Sequence, residues 1–403
     1  MKQKLKKIFG MPSGYNRAIH LSALLLMVFG MIMAVSANMN AAQNSLMPLV
    51  ISAGKHVAYF LISYFAMYLA SKLFSFDLVR ATMPILIVVA IGALMATRLF
   101  APVNGAYAWI RIPIPFVEVT IQPSEFAKIM MMLIIAYFCG DKKDTDKTGW
   151  QMIRKPFWIM MLFTIIILFL QKDFGSSAVL IAIAFLCFLI PSNKSLRKLQ
   201  LVTIIIIVGG IALILFATTE EGIQLIKNYA PFLGYRIQRF ELAANPFIDR
   251  FGSGWQLVHS LIAFSRGGLF GIGLGKSLQK YGYLPEARTD FILAIIVEEL
   301  GFIAFLFIVI LYGIVIYQLF RYAFKVKTEK EKIVLFGVAM YLFIHFLLNV
   351  GGVTALIPLT GVPLLLISSG GSSTMAIMMA IGICQNIIVR HKRAEEKIYE
   401  DTI

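Results

Sequence analysis

The chain has 403 residues, of which 59% are apolar and only 14% are charged. This composition excludes an ordinary soluble domain and is typical of a chain with many membrane spans. The net charge of +16 does not indicate nucleic-acid binding, because the basic residues occur in short clusters between apolar runs rather than on one continuous basic face.

Long apolar runs predict an all-α integral membrane protein with about ten transmembrane helices. The runs lie near residues 19–37, 47–71, 81–100, 123–139, 157–171, 176–191, 199–217, 291–320, 333–350 and 362–389. They leave little sequence for a soluble domain. The predicted division is a basic N-terminus over 1–18, a membrane domain over 19–390 and a tail over 391–403.

The charges of the linkers predict the orientation of the spans. Basic residues mark alternate linkers, such as the one with Lys72 and Arg80, and also the tail with Arg390. The loops near 38–46 and 351–361 carry no basic residue. Because Lys and Arg are enriched in cytoplasmic loops, both termini are predicted to be cytoplasmic.

A long polar segment, 218–290, separates spans 7 and 8 and is predicted to be extracytoplasmic. Within it, residues 255–264 are apolar but too short to cross a bilayer, which favours an interfacial or re-entrant helix. The glycine-rich residues 271–275, followed by Lys276, lack the spacing of a P-loop or a dinucleotide-binding loop. They predict either a turn near the membrane surface or a backbone contact to a phosphate.

The cysteines predict no disulfide framework, and neither the cysteines nor the histidines form a known metal-binding motif. Cys139, Cys187 and Cys384 lie in or beside apolar runs, and no CxxC or HExxH spacing occurs.

Asp290 stands where the polar segment meets the apolar run of the eighth predicted span. An ionisable group at the edge of the hydrocarbon is costly, so it marks a candidate functional site. The alternative is a structural role as the N-cap of the helix that follows. Glu298 and Glu299 lie about two turns further along, and at least one is predicted to face the protein interior with a polar partner.

Other polar residues lie at the predicted membrane surface or inside spans. Glu125 and Lys128 are three residues apart on one helix face, which predicts either a structural ion pair or contact with a substrate. Asp173 is predicted to cap the next helix, with substrate contact as the alternative. Trp109, in an outer loop with Arg111, is either an interface anchor or a ring that stacks on a sugar.

Several motifs together resemble the SEDS family, and the resemblance covers nearly the whole chain. They are QPSE at 122–125 with Lys128, GSGWQL at 252–257, GLFGIGLG at 268–275, LPEARTDFI at 284–292 and PLLLISSGGSS at 363–373. The run QKYGYLPE at 279–286 is more similar to the FtsW and SpoVE branch than to RodA. Three positions depart from the family pattern, namely Ala108, Arg288 and Ser369.

The resemblance implies a ten-span peptidoglycan glycosyltransferase of the bacterial cytoplasmic membrane. Such enzymes polymerise lipid II, an undecaprenyl-pyrophosphate-linked disaccharide peptide, outside the membrane. They work with a class B penicillin-binding protein, and the FtsW branch implies divisome partners and a role in cell division. The family's essential acidic residue matches Asp290.

Glycosyl transfer from an α-linked pyrophosphate to a β-1,4 link inverts the anomeric centre. We expect Asp290 to be the general base that takes the proton of the acceptor hydroxyl, because partial desolvation makes a carboxylate a better base. A divalent cation, Mg²⁺ or Mn²⁺, is a possible aid to the leaving pyrophosphate. The candidate substrate-binding residues are Trp109, Arg111, Glu125, Lys128, Asp173, Arg236, Arg239 and Lys276.

Two other function classes stay open at this point. Polar groups inside the spans are also compatible with a transporter that flips lipid II. A non-enzymatic scaffold of the divisome is the second alternative, and it predicts no chemical role for Asp290.

Overall fold

The computed structural model describes residues 11–42, 45–103, 105–114, 117–140, 148–229 and 234–401, and helices dominate this part of the chain. The helices are α1 (Arg17–Ala37), α2 (Met47–Leu73), α3 (Phe76–Ala96), α4 (Pro123–Cys139), α5 (Gly149–Ile165), α6 (Phe174–Phe188), α7 (Arg197–Ala217), α8 (Glu220–Tyr229), α9 (Tyr235–Ala244), α10 (Trp255–Gly267), α11 (Ile292–Lys325), α12 (Glu329–Val353) and α13 (Gly371–Glu400).

Helices α1 to α7 and α11 to α13 fall on the predicted apolar runs. In the described part of the chain, eight of them, some with an adjoining turn, are long and apolar enough to cross a membrane. Helices α4 and α6 are shorter, with 17 and 15 residues. The fold is therefore that of an all-α integral membrane protein, and the total of about ten spans remains a prediction.

Polar side chains fix the starts of several helices, as expected for N-caps. Asn16 accepts the Ile19 N–H at the start of α1 at 3.1 Å. Ser75 does the same for Leu78 at the start of α3, also at 3.1 Å.

The core lies around α12, which packs against α4, α6 and α11, and α13 packs along α2. Helix α7 is peripheral, and Ala217 is its one buried residue. Its exposed Leu and Ile side chains suit contact with lipid, since lipid is the solvent of this surface.

A short β-hairpin precedes α4 and was not predicted. Strand β1 (Ile110–Ile114) pairs with β2 (Val117–Ile121) in antiparallel fashion, with Arg111 opposite Thr120. The hairpin leads directly through Gln122 into the first turn of α4.

The last predicted span, 362–389, is wrong at its start, because α13 begins only at Gly371. The apolar residues before it are buried in an irregular segment, 362–370. Gly361 and Leu366 have left-handed φ values of 71° and 65°, and Pro363 lacks an N–H. A hydropathy profile reflects only how apolar the side chains are, so it does not detect these backbone constraints.

Helix α11 is broken at Gly301, whose φ is 77° and ψ is −178°. The break leaves two N–H groups without helical acceptors, and the loop at 268–273 supplies the acceptors. The Phe302 N–H donates to the Gly268 carbonyl at 2.9 Å, and the Ile303 N–H donates to the Leu269 carbonyl at 3.2 Å. A Cβ at position 301 would collide with the Leu269 carbonyl.

The same loop also serves the two carbonyls freed by the break. The Ile272 N–H donates to the Glu298 carbonyl at 3.0 Å, and the Gly273 N–H donates to the Glu299 carbonyl at 2.9 Å. A Cβ at Gly271 would collide with the Glu299 carbonyl. The glycine-rich residues therefore form a turn packed on α11, and these two N–H groups are not available to a phosphate.

Helix α10 confirms the helix predicted over 255–264. It packs against α11, and its last residue lies so close to Val297 that a Cβ at Gly267 would collide with the Val297 carbonyl. Because Val297 lies inside α11 and not at its first residue, the C-terminal end of α10 packs beside the interior of α11.

Candidate active site

Asp290 precedes Phe291, the N-cap residue of α11, and Phe291 makes no side-chain cap hydrogen bond. Among the described residues, no hydrogen bond to the Asp290 carboxylate is found. The alternative interpretation of Asp290 as a structural N-cap is therefore wrong. The side chain is half-buried, and its carboxylate takes no part in capping the helix.

The surroundings of Asp290 raise its pKa from 3.8 to about 7. Burial is the largest cause, and the charges of Glu286 and Asp173 raise the pKa further, whereas Arg239 lowers it. A general base works best when its pKa is near the operating pH. The structure thus brings two predicted site residues, Asp173 and Arg239, together with Asp290, and it adds Glu286.

The backbone around Asp290 is held by side chains and backbone that sequence analysis missed. The carbonyls of residues 288–290 each accept one hydrogen bond. The donors are the Ser369 N–H at 3.0 Å, the Ser368 hydroxyl at 2.8 Å and the Asn349 Nδ2 at 2.8 Å. The chain at Asp290 is therefore fixed on the irregular segment and on α12.

Asp173 is the N-cap of α6, as predicted, because its Oδ1 accepts the Ser176 N–H at 2.9 Å. Its Oδ2 accepts from Gln122 Nε2 at 3.0 Å. The π-helical turn Ile166–Leu170 and a left-handed Lys172 (φ 58°) place it there. Asp173 therefore caps a helix and also acts electrostatically on the neighbouring acid.

Glu125 and Lys128 form the predicted ion pair, with 2.7 Å between Oε1 and Nζ and only 1% of each side chain exposed. The Tyr341 hydroxyl also donates to Glu125. Lys128 Nζ lies 3.3 Å from His345 Nε2. Pairing and burial support the structural interpretation of these two residues.

Arg239 lies on α9 and donates through Nη1 to the Leu359 carbonyl at 2.8 Å. The chain just before the irregular segment passes Asp290, since a Cβ on Gly361 would lie 3.6 Å from Asp290 Oδ2. Arg236 lies on the same helix, but its side chain is outside the described part of the structure.

The other candidate residues lie on the hairpin and on the glycine-rich turn. Trp109 precedes β1, Arg111 is within it, and both are half-buried. Lys276 is exposed, and its charge is not among those that shift the pKa of Asp290.

Glu298 and Glu299 are fully buried and paired, as predicted for at least one of them. Arg266 Nη1 lies 2.9 Å from Glu298 Oε1, and Lys280 Nζ lies 2.8 Å from Glu299 Oε1. The Ser36 hydroxyl of α1 donates to Glu299 at 2.6 Å. These bonds hold the segment that carries Arg266 and Lys280 against α11 and α1. They also supply the partners that a buried charge needs.

Within the described residues, no group of three or more His, Cys, Asp or Glu side chains could hold a metal ion without other ligands. Mg²⁺ is often held by one or two carboxylates together with substrate phosphates, so a cation bound with substrate remains a prediction.

The fold and this site define a polytopic all-α membrane protein that carries a poised carboxylate at the end of a membrane helix. Residues 16–393 match the model of the FtsW/RodA/SpoVE family, described as cell cycle proteins. The chain therefore belongs to the FtsW/RodA/SpoVE family.

Curated relatives agree with this assignment. The chain is 33% identical over 393 residues to the probable peptidoglycan glycosyltransferase FtsW of Bacillus subtilis, covering 96% of this chain and 94% of the relative. It is also 33% identical over 284 residues to the stage V sporulation protein E of the same organism, covering 70% of this chain and 72% of the relative.

Solved structures share the fold. A chain from a peptidoglycan synthase complex that coordinates polymerization and crosslinking aligns with a TM-score of 0.69 and 21% identity, covering 94% of this chain and 99% of that chain. The rod shape determining protein RodA of Thermus thermophilus aligns with a TM-score of 0.57 and 19% identity, covering 94% and 97%.

Proposed function

We propose that this chain polymerises lipid II into glycan strands at the outer face of the bacterial cytoplasmic membrane during cell division. The chain is a peptidoglycan glycosyltransferase, the activity named for its FtsW relatives. The observation that carries the mechanism is the carboxylate of Asp290, which bonds to none of the described residues and has its pKa raised to about 7.

The proposed reaction is an inverting transfer with Asp290 as general base. The acceptor sugar's 4-hydroxyl loses its proton to the Asp290 carboxylate as its oxygen forms the bond to the donor's anomeric carbon. The bond from that carbon to the pyrophosphate oxygen breaks, and the lipid pyrophosphate leaves with the electron pair. General-base assistance contributes about 10²–10⁴-fold.

The leaving pyrophosphate needs positive charge. Among the predicted basic residues, Arg239 is the strongest candidate, because its charge lowers the pKa of Asp290 and therefore acts at the site. A guanidinium also matches phosphate oxygens in bidentate fashion. Lys128 is a weaker candidate than predicted, since it is buried in its ion pair with Glu125. Arg111, Arg236, Lys276 and the sugar-stacking role of Trp109 remain proposals.

The proposed orientation puts both termini in the cytoplasm and Asp290 outside. Three contacts support termini on one side. Asn16, at the start of α1, exchanges hydrogen bonds with Gln385 of α13 at 2.8 and 2.9 Å. Arg390 of α13 donates to the Phe74 carbonyl between α2 and α3 at 2.7 Å.

The proposed partners are lipid II, a class B penicillin-binding protein that crosslinks the product, and other divisome proteins. The fold shared with a chain of a synthase complex that joins polymerization to crosslinking supports a transpeptidase partner.

The deciding experiment is lipid II polymerisation by the purified protein, with and without its cognate transpeptidase. We expect glycan strands from the unmodified protein and none from Asp290→Asn, which keeps the size of the side chain. Asp249→Asn is the matched control, because Asp249 is an exposed acid of the same outer segment. Glycan synthesis by Asp290→Asn would rule out the base role.

Reconstituted vesicles separate the other two function classes from this one. A polymerase makes glycan from outward-facing lipid II alone. Movement of labelled lipid II across the bilayer without glycan synthesis would instead support a transporter. A scaffold predicts that Asp290→Ala still complements growth, which our proposal does not.

A further inference from the structure

Helix α12 carries two buried polar side chains one turn apart, His345 and Asn349, in an otherwise apolar span. Polar side chains at this depth are costly unless they are bonded, and they are often functional. Both face the irregular segment 362–370, because each bonds to one of its first two carbonyls.

Asn349 bonds to the backbone of Asp290 itself. Its Nδ2 donates to the Asp290 carbonyl at 2.8 Å and to the Val362 carbonyl at 3.0 Å. The side chain is only 2% exposed. One amide group therefore joins three pieces of chain: α12, the residue that carries the carboxylate, and the irregular segment beside it.

His345 connects the same region to the buried ion pair. Its Nδ1 lies 3.2 Å from the Pro363 carbonyl, and its Nε2 lies 3.3 Å from Lys128 Nζ. Lys128 in turn pairs with Glu125. A continuous polar path thus runs from α4 through α12 to the irregular segment on which Asp290 rests.

We propose that Asn349 is a positioning residue for glycosyl transfer. It sets the position of the Asp290 carboxylate by holding the backbone carbonyl of Asp290 against α12. The inference rests on the proposed function. The Glu125–Lys128–His345 path has a supporting role, because His345 bonds to the same irregular segment as Asn349 does. Asn349 itself does not touch substrate.

The physical reason is that the Asp290 carboxylate, which bonds to none of the described side chains, takes its position from the backbone that Asn349 holds. Misplacement of a reacting group by about 1 Å can cost on the order of 10²-fold in rate. Loss of a merely stabilising hydrogen bond would instead lower the fraction of folded enzyme and leave each folded molecule equally active.

The chain offers a close control in Asn386 of α13. This residue is 6% exposed, and its Nδ2 donates to a backbone carbonyl, that of Ser71, at 2.9 Å. In both asparagines the Oδ1 has no partner among the described residues. Asn386 bonds to the backbone of α2 rather than to that of Asp290, so Asn386→Ala reports the generic cost of losing such a bond.

The test compares lipid II polymerisation by Asn349→Ala and Asn386→Ala. We expect the kcat of Asn349→Ala, per folded molecule, to fall about 10- to 100-fold with little change in KM, because the base is misplaced after substrate binds. Asn386→Ala should keep the unmodified kcat. The acid limb of the pH profile should move to lower pH in Asn349→Ala alone, since the freed carboxylate is better solvated while Glu286, Asp173 and Arg239 are unchanged.

Two further measurements keep the inference testable. Ser368→Ala removes a single hydroxyl that holds the Thr289 carbonyl, and it should also lower kcat. It replaces Asn349→Ala as the test if that variant does not fold. Hydrogen exchange should speed up over 284–291 in Asn349→Ala and not in Asn386→Ala, whatever the activity of the enzyme.

Several outcomes would overturn the inference. Unmodified kcat, pH profile and exchange in Asn349→Ala would show that the bond does not position Asp290. Equal losses in both asparagine variants would show a generic packing effect. If the unmodified protein makes no glycan, the proposed function fails, and the exchange result still decides whether Asn349 orders the Asp290 backbone.

Discussion

Replacing Asp290 with Asn should stabilise the protein while it abolishes polymerisation. The folded state holds a half-buried carboxyl whose pKa is about 7 instead of 3.8. Its ionised form is therefore disfavoured by folding, and Asn removes that cost. Functional residues commonly reduce stability in this way.

The size and sign of the stability change caused by Asp290→Asn follow from the pKa of Asp290. Because the folded-state pKa is raised, the folded protein binds more protons than the unfolded chain between pH 3.8 and about 7. Stability is thus lost as the pH rises through that window. Each pKa unit is worth about 1.4 kcal/mol, so the gain from Asn should grow from about 2 kcal/mol at pH 5 to on the order of 4 kcal/mol at pH 8.

Thermal unfolding in detergent, followed by far-UV circular dichroism, measures this difference. The signal reports the loss of the helices that dominate the fold, and it is read in the same way at both pH values. The Tm of Asp290→Asn should exceed that of the unmodified protein, and by more at pH 8 than at pH 5.

Asp249 supplies a control of opposite sign. Hydrogen bonds from Ser253 lower the pKa of this exposed acid, so Asp249→Asn should lose stability at neutral pH instead of gaining it. The reasoning is refuted if Asp290→Asn shows the same Tm difference from the unmodified protein at both pH values, or if its Tm is lower at pH 8.

Two other changes test the site and its support. Asp173→Asn should keep the helix cap but shift the acid limb of the polymerisation rate to lower pH, because Asp173 raises the pKa of Asp290; an unmoved limb would contradict this electrostatic role. Gly301→Ala should lower thermal stability strongly, by about 2–4 kcal/mol, because of its left-handed φ and its collision with the loop. Gly313→Ala, whose Cβ would meet nothing within 4 Å, should be nearly neutral, and equal effects at the two glycines would contradict the packing argument.

Hydropathy predicted the positions of the membrane helices because burial in lipid needs long apolar stretches, whatever their packing. It failed for residues 362–370, where apolar side chains are buried in a non-helical segment. It also missed the break at Gly301, since the loop that completes the broken helix comes from elsewhere in the sequence.

The candidate site was predicted in part. Asp290 and Asp173 could be found because each stands where a polar segment meets an apolar run. Asn349 and Ser368 were missed, since both act through bonds to a backbone distant in sequence. Polar His345 and Asn349 at a four-residue spacing inside an apolar run were a usable signal.

The exchange of main-chain bonds between α11 and the loop at 268–273 has a consequence for biogenesis. Without that loop, the broken form of the helix would leave two amides and two carbonyls without partners, each costing several kcal/mol in an apolar environment. The break at Gly301 and docking of the loop are therefore expected to form together. An epitope or reporter inserted at 268–273 should impair assembly of the polypeptide in the bilayer, not merely its chemistry.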